Sequence, residues 1–139
     1  MEPDVTFENY EQTVLVVDDD PVMHDLISRY LSRAGLRLES AYTGEEGLRK
    51  ARELKPSAVT LDVIMPGMDG WSLLRELKND PALSSIPVIM MSIVDDKNFA
   101  FSMGANDYLL KPVSRKELIT VLARSMNKPA AIAAAVPVI

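Results

Sequence analysis

The chain has 139 residues, the size of a single domain with room for a buried core, and its 47% hydrophobic and 25% charged residues exclude disorder over most of the length. It contains no cysteine, which excludes disulfides, thiolate metal sites and cysteine nucleophiles. A net charge of −5 argues against a nucleic-acid-binding surface, and no apolar stretch approaches the roughly 20 residues of a membrane span. The acidic start, Met1-Glu2-Pro3-Asp4, lacks the order of a signal peptide, so a cytoplasmic location is expected, with no direct partner among nucleic acids or membranes.

Strand and helix signals alternate. Residues 1–11 read as a loose arm with Val5, Phe7 and Tyr10 as its only packing side chains. A first strand is expected at Thr13–Val17, and Asp20-Pro21 then starts a helix, with aspartate as N-cap and proline at the first helical position. Val22, Met23, Leu26, Ile27, Tyr30 and Leu31 recur at helical spacing, and Gly35 closes the helix. Leu36–Ala41 reads as a second strand. Thr43 and Glu46 form a capping box for a helix with Leu48, Ala51 and Leu54, which stops before Pro56. A third strand is Ala58–Leu61. After Asp62, a loop shaped by Pro66, Gly67 and Gly70 leads to a helix with Trp71, Leu74 and Leu77 on its inner side. Ile86–Met91 is a fourth strand, followed directly by Ser92. Asp95 or Asp96 caps a short fourth helix that runs through Met103 and ends at Gly104; Tyr108–Leu110 is a fifth strand. Ser114 and Glu117 form a second capping box, for a last helix bearing Leu118, Ile119 and Leu122. The tail 128–139 is Ala-rich and bracketed by Pro129 and Pro137, which suits a linker remnant better than a helix. Five strands alternating with five helices imply an α/β, doubly wound parallel sheet with helices on both faces, occupying residues 12–127.

Ligands of open α/β sheets sit outside the carboxyl ends of the strands. Asp18, Asp19 and Asp20 end the first strand, Asp62 ends the third and Lys111 the fifth, so these groups should meet in one pocket. Two carboxylates about 5 Å apart repel by roughly 3 kcal/mol at an effective dielectric near 20, which a cation relieves. Hard oxygen ligands without histidine or cysteine select Mg²⁺ over zinc, and Mg²⁺ commonly shares its shell with a phosphate oxygen. A carboxylate can itself be a nucleophile that forms an aspartyl phosphate, with the Lys111 ammonium and the Ser92 hydroxyl placed to bind phosphoryl oxygens.

The segments Val14–Asp20, Leu61–Gly70, Pro87–Ser92 and Gly104–Pro112 resemble, in this order and spacing, those of the receiver domain of two-component response regulators, a likeness that extends over residues 12–125. The resemblance implies a flavodoxin-like (βα)5 fold with strand order 2-1-3-4-5. It also implies phosphorylation of Asp62 by a histidine kinase or a phosphotransfer histidine, and a metal site of Asp19 directly, Asp18 mainly through water, Asp62 and the Ile64 backbone carbonyl. Ser92 is similar to the switch hydroxyl, Tyr108 to the switch aromatic and Lys111 to the phosphate-contacting lysine, with a cis Lys111-Pro112 bond. The output surface it implies is the face of the fourth helix, fourth strand and fifth strand, where Phe99, Phe101 and Met103 offer apolar area to a downstream protein. Such a protein is a signalling phosphoacceptor rather than a turnover enzyme.

Some residues read two ways. Asp20 reads as a helix cap rather than a ligand, and Tyr108 suits a core aromatic as well as a switch. His24, the only histidine, has no acid or histidine partner at ligand spacing and is expected at the surface or an edge. Ile93 is bulky where the family is commonly small, which suggests narrowed access to Asp62. Ile64 and Val94, two residues beyond Asp62 and Ser92, offer no side chain to orient an attacking water. Asp18-Asp19-Asp20-Pro21-Val22 also satisfies the strand-end motif of haloacid-dehalogenase-like phosphohydrolases, which would make Asp18 the nucleophile, and a receiver-like module that is never phosphorylated is a third reading.

Overall fold

The computed structural model describes residues 12–126; the expected arm 1–11 and tail 128–139 lie outside the described residues, as does residue 127. Five strands alternate with five helices: β1 (Thr13–Val17), α1 (Pro21–Arg33), β2 (Arg37–Ala41), α2 (Gly44–Leu54), β3 (Ala58–Asp62), α3 (Gly70–Asn79), β4 (Val88–Ser92), α4 (Lys97–Ser102), β5 (Asp107–Leu110) and α5 (Arg115–Met126). The strands are parallel throughout and ordered β2-β1-β3-β4-β5, the expected doubly wound arrangement. Among the described residues no helix is long and apolar enough to cross a membrane.

The continuous apolar runs of β1, β3 and β4 follow from burial on both faces. Successive side chains alternate sides, so Val14 and Val16 join Ile27, Leu31, Leu118 and Leu122 beneath α1 and α5, while Leu15 and Val17 join Leu73, Leu74 and Leu77 on the opposite face.

The caps form where side chains can satisfy the free N–H groups of a helix start. Asp20 Oδ1 accepts from the Val22 N–H at 3.0 Å, and Gly35 takes the left-handed φ of 81° that ends α1. Thr43 Oγ1 accepts from Glu46 N–H, and Ser114 and Glu117 each accept the other's N–H. A fourth cap went unread: Asp69 Oδ1 accepts from Ser72 N–H at 2.8 Å and starts α3. At α4, Asp96 holds the N-cap position without a side-chain bond, and Asp95 accepts from Lys97 N–H instead.

Three expectations need correction. Strand β4 begins at Val88, because Pro87 has no N–H and the Val88 N–H is taken by the Asn106 side chain at 2.9 Å. It continues through Ser92, whose carbonyl accepts from Lys111 N–H. The inward stripe of α1 runs through His24, Ile27 and Leu31; Val22 lies about 200° around the helix from His24 and is 71% exposed. His24 is therefore not a surface residue but 5% exposed, with both ring nitrogens hydrogen-bonded.

Candidate functional site

Strand register builds the site. Val17 pairs with Leu61, so Asp18 and Asp62 leave adjacent strands at one level; Ser92 pairs with Leu110, which brings Lys111 to the same end of the sheet. One carboxylate oxygen each of Asp18, Asp19 and Asp62 lies within 4.8 Å of the others. Lys111 Nζ is 3.0 Å from Asp18 Oδ2 and 3.3 Å from Asp62 Oδ1, bridging the two buried acids. Asp18 Oδ1 accepts the Asp20 N–H at 2.9 Å, so both of its oxygens are engaged. Asp19 is exposed, and among the described residues its carboxylate has no hydrogen-bond or ion-pair partner.

Burial raises the pKa of the Asp62 carboxyl, and the Asp18 charge raises it further, against the opposing pull of Lys111 and the Ile64 N–H. For Lys111, burial disfavours the ammonium, but the hydrogen bond and charge of Asp18 together with Asp62 outweigh it and raise its pKa. Three acids and one lysine leave a net negative pocket of hard oxygens with one exposed, unpartnered carboxylate. That donor set suits a divalent cation of the Mg²⁺ type.

The side chains of Ser92 and Tyr108 form no hydrogen bond to these acids or to the Lys111 ammonium; both meet the segment that follows β4. Ser92 is buried and its Oγ accepts from Val94 N–H at 3.2 Å. Tyr108 is a core aromatic whose hydroxyl donates to the Val94 carbonyl and accepts from Asp96 N–H, tying residues 94–96 to β5. The Lys111-Pro112 bond is cis. Ile93 is 71% exposed, and Ile64 and Val94 are exposed as well. Asp20, the would-be acid/base of a hydrolase, is occupied as the α1 cap.

Two residues at the site escaped sequence reading. Gly70 packs so tightly against β3 that a Cβ there would lie 2.2 Å from the Asp62 carbonyl oxygen. His24 donates from Nε2 to the Asp18 carbonyl at 2.7 Å; its place in the 24-27-31 stripe is the signal that would have found it.

A family model described as response regulator receiver domain matches residues 14–123, from β1 into the last turns of α5. The chain is 36% identical over 109 residues to the DNA-binding dual master transcriptional regulator RpaA of Synechocystis sp., a match covering 76% of this chain and 45% of RpaA. The chain thus spans under half the length of that relative. It is 36% identical over 112 residues to Protein PilH of Pseudomonas aeruginosa, covering 78% of this chain and 93% of PilH. Among solved structures, the receiver domain of a Pseudomonas aeruginosa sensor histidine kinase superposes with a TM-score of 0.77 at 29% identity, over 84% of this chain and 98% of that one; its structure holds a magnesium ion coordinated in the active-site cleft. Matched along the whole of its sheet, with an acidic pocket at the carboxyl ends of β1 and β3, the chain belongs to the response regulator receiver domains of two-component signalling.

Proposed function

We propose that Asp62 is the phosphoacceptor of a two-component phosphorelay, taking its phosphoryl group from a phosphohistidine of a histidine kinase or phosphotransfer protein. The observation that carries this reading is the convergence of Asp18, Asp19 and Asp62 within 4.8 Å beside Lys111. An Asp62 oxygen attacks phosphorus, the N–P bond breaks, and the leaving imidazole takes up a proton. Asp18, Asp19, Asp62 and the Ile64 carbonyl would hold Mg²⁺, which when bound neutralises charge on the phosphoryl oxygens. The Lys111 ammonium contacts the same oxygens from β5. Ser92 Oγ turns from Val94 N–H toward the phosphoryl group, and through the Tyr108 hydroxyl that movement reaches residues 94–96 and the exposed Phe99 and Phe101 of α4, where a downstream protein binds.

Mass spectrometry after acetyl phosphate treatment tests the assignment. Wild type is expected to gain one phosphoryl group only with Mg²⁺, and Asp62→Asn none. Phosphorylation of Asp62→Asn, or its loss only in Asp18→Asn, would sink the reading.

The phosphorylated form should be long-lived, because Ile64 and Val94 are exposed beside the site yet carry no group that could align a water. Ile64→Asn is expected to speed loss of the label by about tenfold or more, measured by following purified phosphoprotein without kinase or phosphatase. Rapid loss from wild type would contradict this.

A further inference from the structure

The geometry points to His24 as a positioning residue for the metal-binding acids, an inference that rests on the reading of Asp18, Asp19 and Asp62 as the Mg²⁺ site. The problem it solves lies at Asp19. That carboxylate is exposed and unpartnered among the described residues, yet an oxygen of it sits within 4.8 Å of those of Asp18 and Asp62. No hydrogen bond or ion pair holds it there, so what the fold fixes is the backbone from which it projects. The Asp18 carbonyl and the Asp19 N–H belong to one planar peptide unit, and fixing that plane fixes where the Asp19 Cα–Cβ bond starts.

Two hydrogen bonds fix the chain on either side of Asp18. Its N–H donates to the Ala41 carbonyl at 3.1 Å, which continues the β1–β2 ladder. Its carbonyl lies beyond the ladder and accepts from His24 Nε2 at 2.7 Å. A carbonyl only accepts, so Nε2 carries the proton, and Nδ1, 2.8 Å from Ser40 Oγ, accepts from that hydroxyl in the neutral ring. The ring is further held against Tyr42, with centroids 4.2 Å apart. His24 is thus gripped by α1, the edge strand β2 and the loop after it, and passes that rigidity to the peptide between the two acids. A side chain of this length on α1 could have pointed to water; it is buried, and both its nitrogens are used. Partners one shell out from a metal commonly govern affinity by about ten- to a hundredfold when lost.

Titration of the protein with MgCl2 by calorimetry, with the Mg²⁺ dependence of acetyl phosphate labelling as a second readout, tests the assignment. His24→Phe keeps a ring against Tyr42 and removes both hydrogen bonds. It is expected to weaken Mg²⁺ binding by about tenfold or more, raising the half-saturating Mg²⁺ concentration while the labelling rate at saturation stays close to wild type. His24→Gln, whose amide can donate to the Asp18 carbonyl, is expected to recover most of the loss. A purely structural role predicts lower stability in both variants and wild-type affinity in the folded protein. Wild-type affinity in folded His24→Phe, or no advantage of Gln over Phe, overturns the inference. If His24→Phe does not fold, Ser40→Ala decides: the ring loses one anchor, binding should weaken by about threefold, and an unchanged affinity overturns the inference. Failure of the wild type itself to bind Mg²⁺ would instead defeat the phosphoacceptor reading.

Discussion

Lys111→Met is expected to cost about 3 kcal/mol of stability at neutral pH without divalent ions, and to slow labelling of Asp62 by about a hundredfold or more. The stability term comes from the two buried carboxylates that Lys111 bridges at 3.0 and 3.3 Å. Without the ammonium, like charges within 4.8 Å repel by roughly 3 kcal/mol at an effective dielectric near 20. The sign of the pH dependence follows from Asp62, whose pKa is raised by burial and by Asp18 while Lys111 pulls it down. Removing Lys111 raises it further. A carboxyl with a raised pKa binds its proton more tightly in the folded than in the unfolded chain, so its contribution is intact at acid pH and is lost as pH rises from the ordinary carboxylate range through the raised value. The gap between variant and wild type should therefore be small near about pH 4 and widen toward neutrality. Urea unfolding from acid to neutral pH in EDTA checks this. Adding Mg²⁺, or Asp62→Asn in the same background, should close the gap at neutral pH. A gap that ignores pH would mean that the lost contact is packing of the lysine stem rather than charge.

The same pair of acids shows how far sequence reading reaches. Apolar runs ending in Asp18 and Asp62 place two carboxylates at the carboxyl edge of a buried parallel sheet, because period-2 burial on both faces leaves few other roles for such runs. Capping chemistry separates Asp20 from its neighbours, since a proline after an acid marks a helix start, and Asp20 indeed caps α1. Lys111 was legible as a cation at the site, but not as the bridge between Asp18 and Asp62, which depends on how far its side chain reaches from the end of β5 across β4 to the adjacent β3 and β1. His24 was misread for a related reason. A lone polar residue on a helix suggests solvent, and only the tertiary approach of Ser40 and the Asp18 carbonyl makes its burial favourable. The hydroxyls of Ser92 and Tyr108 meet the β4–α4 loop, whose path follows from packing rather than local propensity.

Gly70→Ala should lower stability by about 3 kcal/mol and damage the site as well, although alanine is the better helix former by about 1 kcal/mol. The loop reading credits Pro66, Gly67 and Gly70 with its shape, but two of these residues act differently. Gly67 takes a φ of 75°, which an L side chain rarely adopts. Gly70 is needed for space. A Cβ at residue 70 would lie 2.2 Å from the Asp62 carbonyl oxygen and 2.7 Å from Val63 Cα, both backbone atoms, while the Gly70 N–H is tied to the Val63 carbonyl at 2.9 Å. Neither side can turn away as a flexible side chain could, so either α3 lifts off or the end of β3 moves, carrying Asp62 with it. Gly47→Ala is the matched control. Its Cβ would meet Val17 and Leu73 methyl groups at 3.0–3.1 Å, inside the core and on side chains that can yield. Both variants are expected to melt at lower urea than wild type, Gly47→Ala by the smaller margin, but only Gly70→Ala should lose Mg²⁺ affinity and labelling per folded molecule. Equal site function in the two variants would show that α3, rather than the end of β3, absorbs the added methyl group.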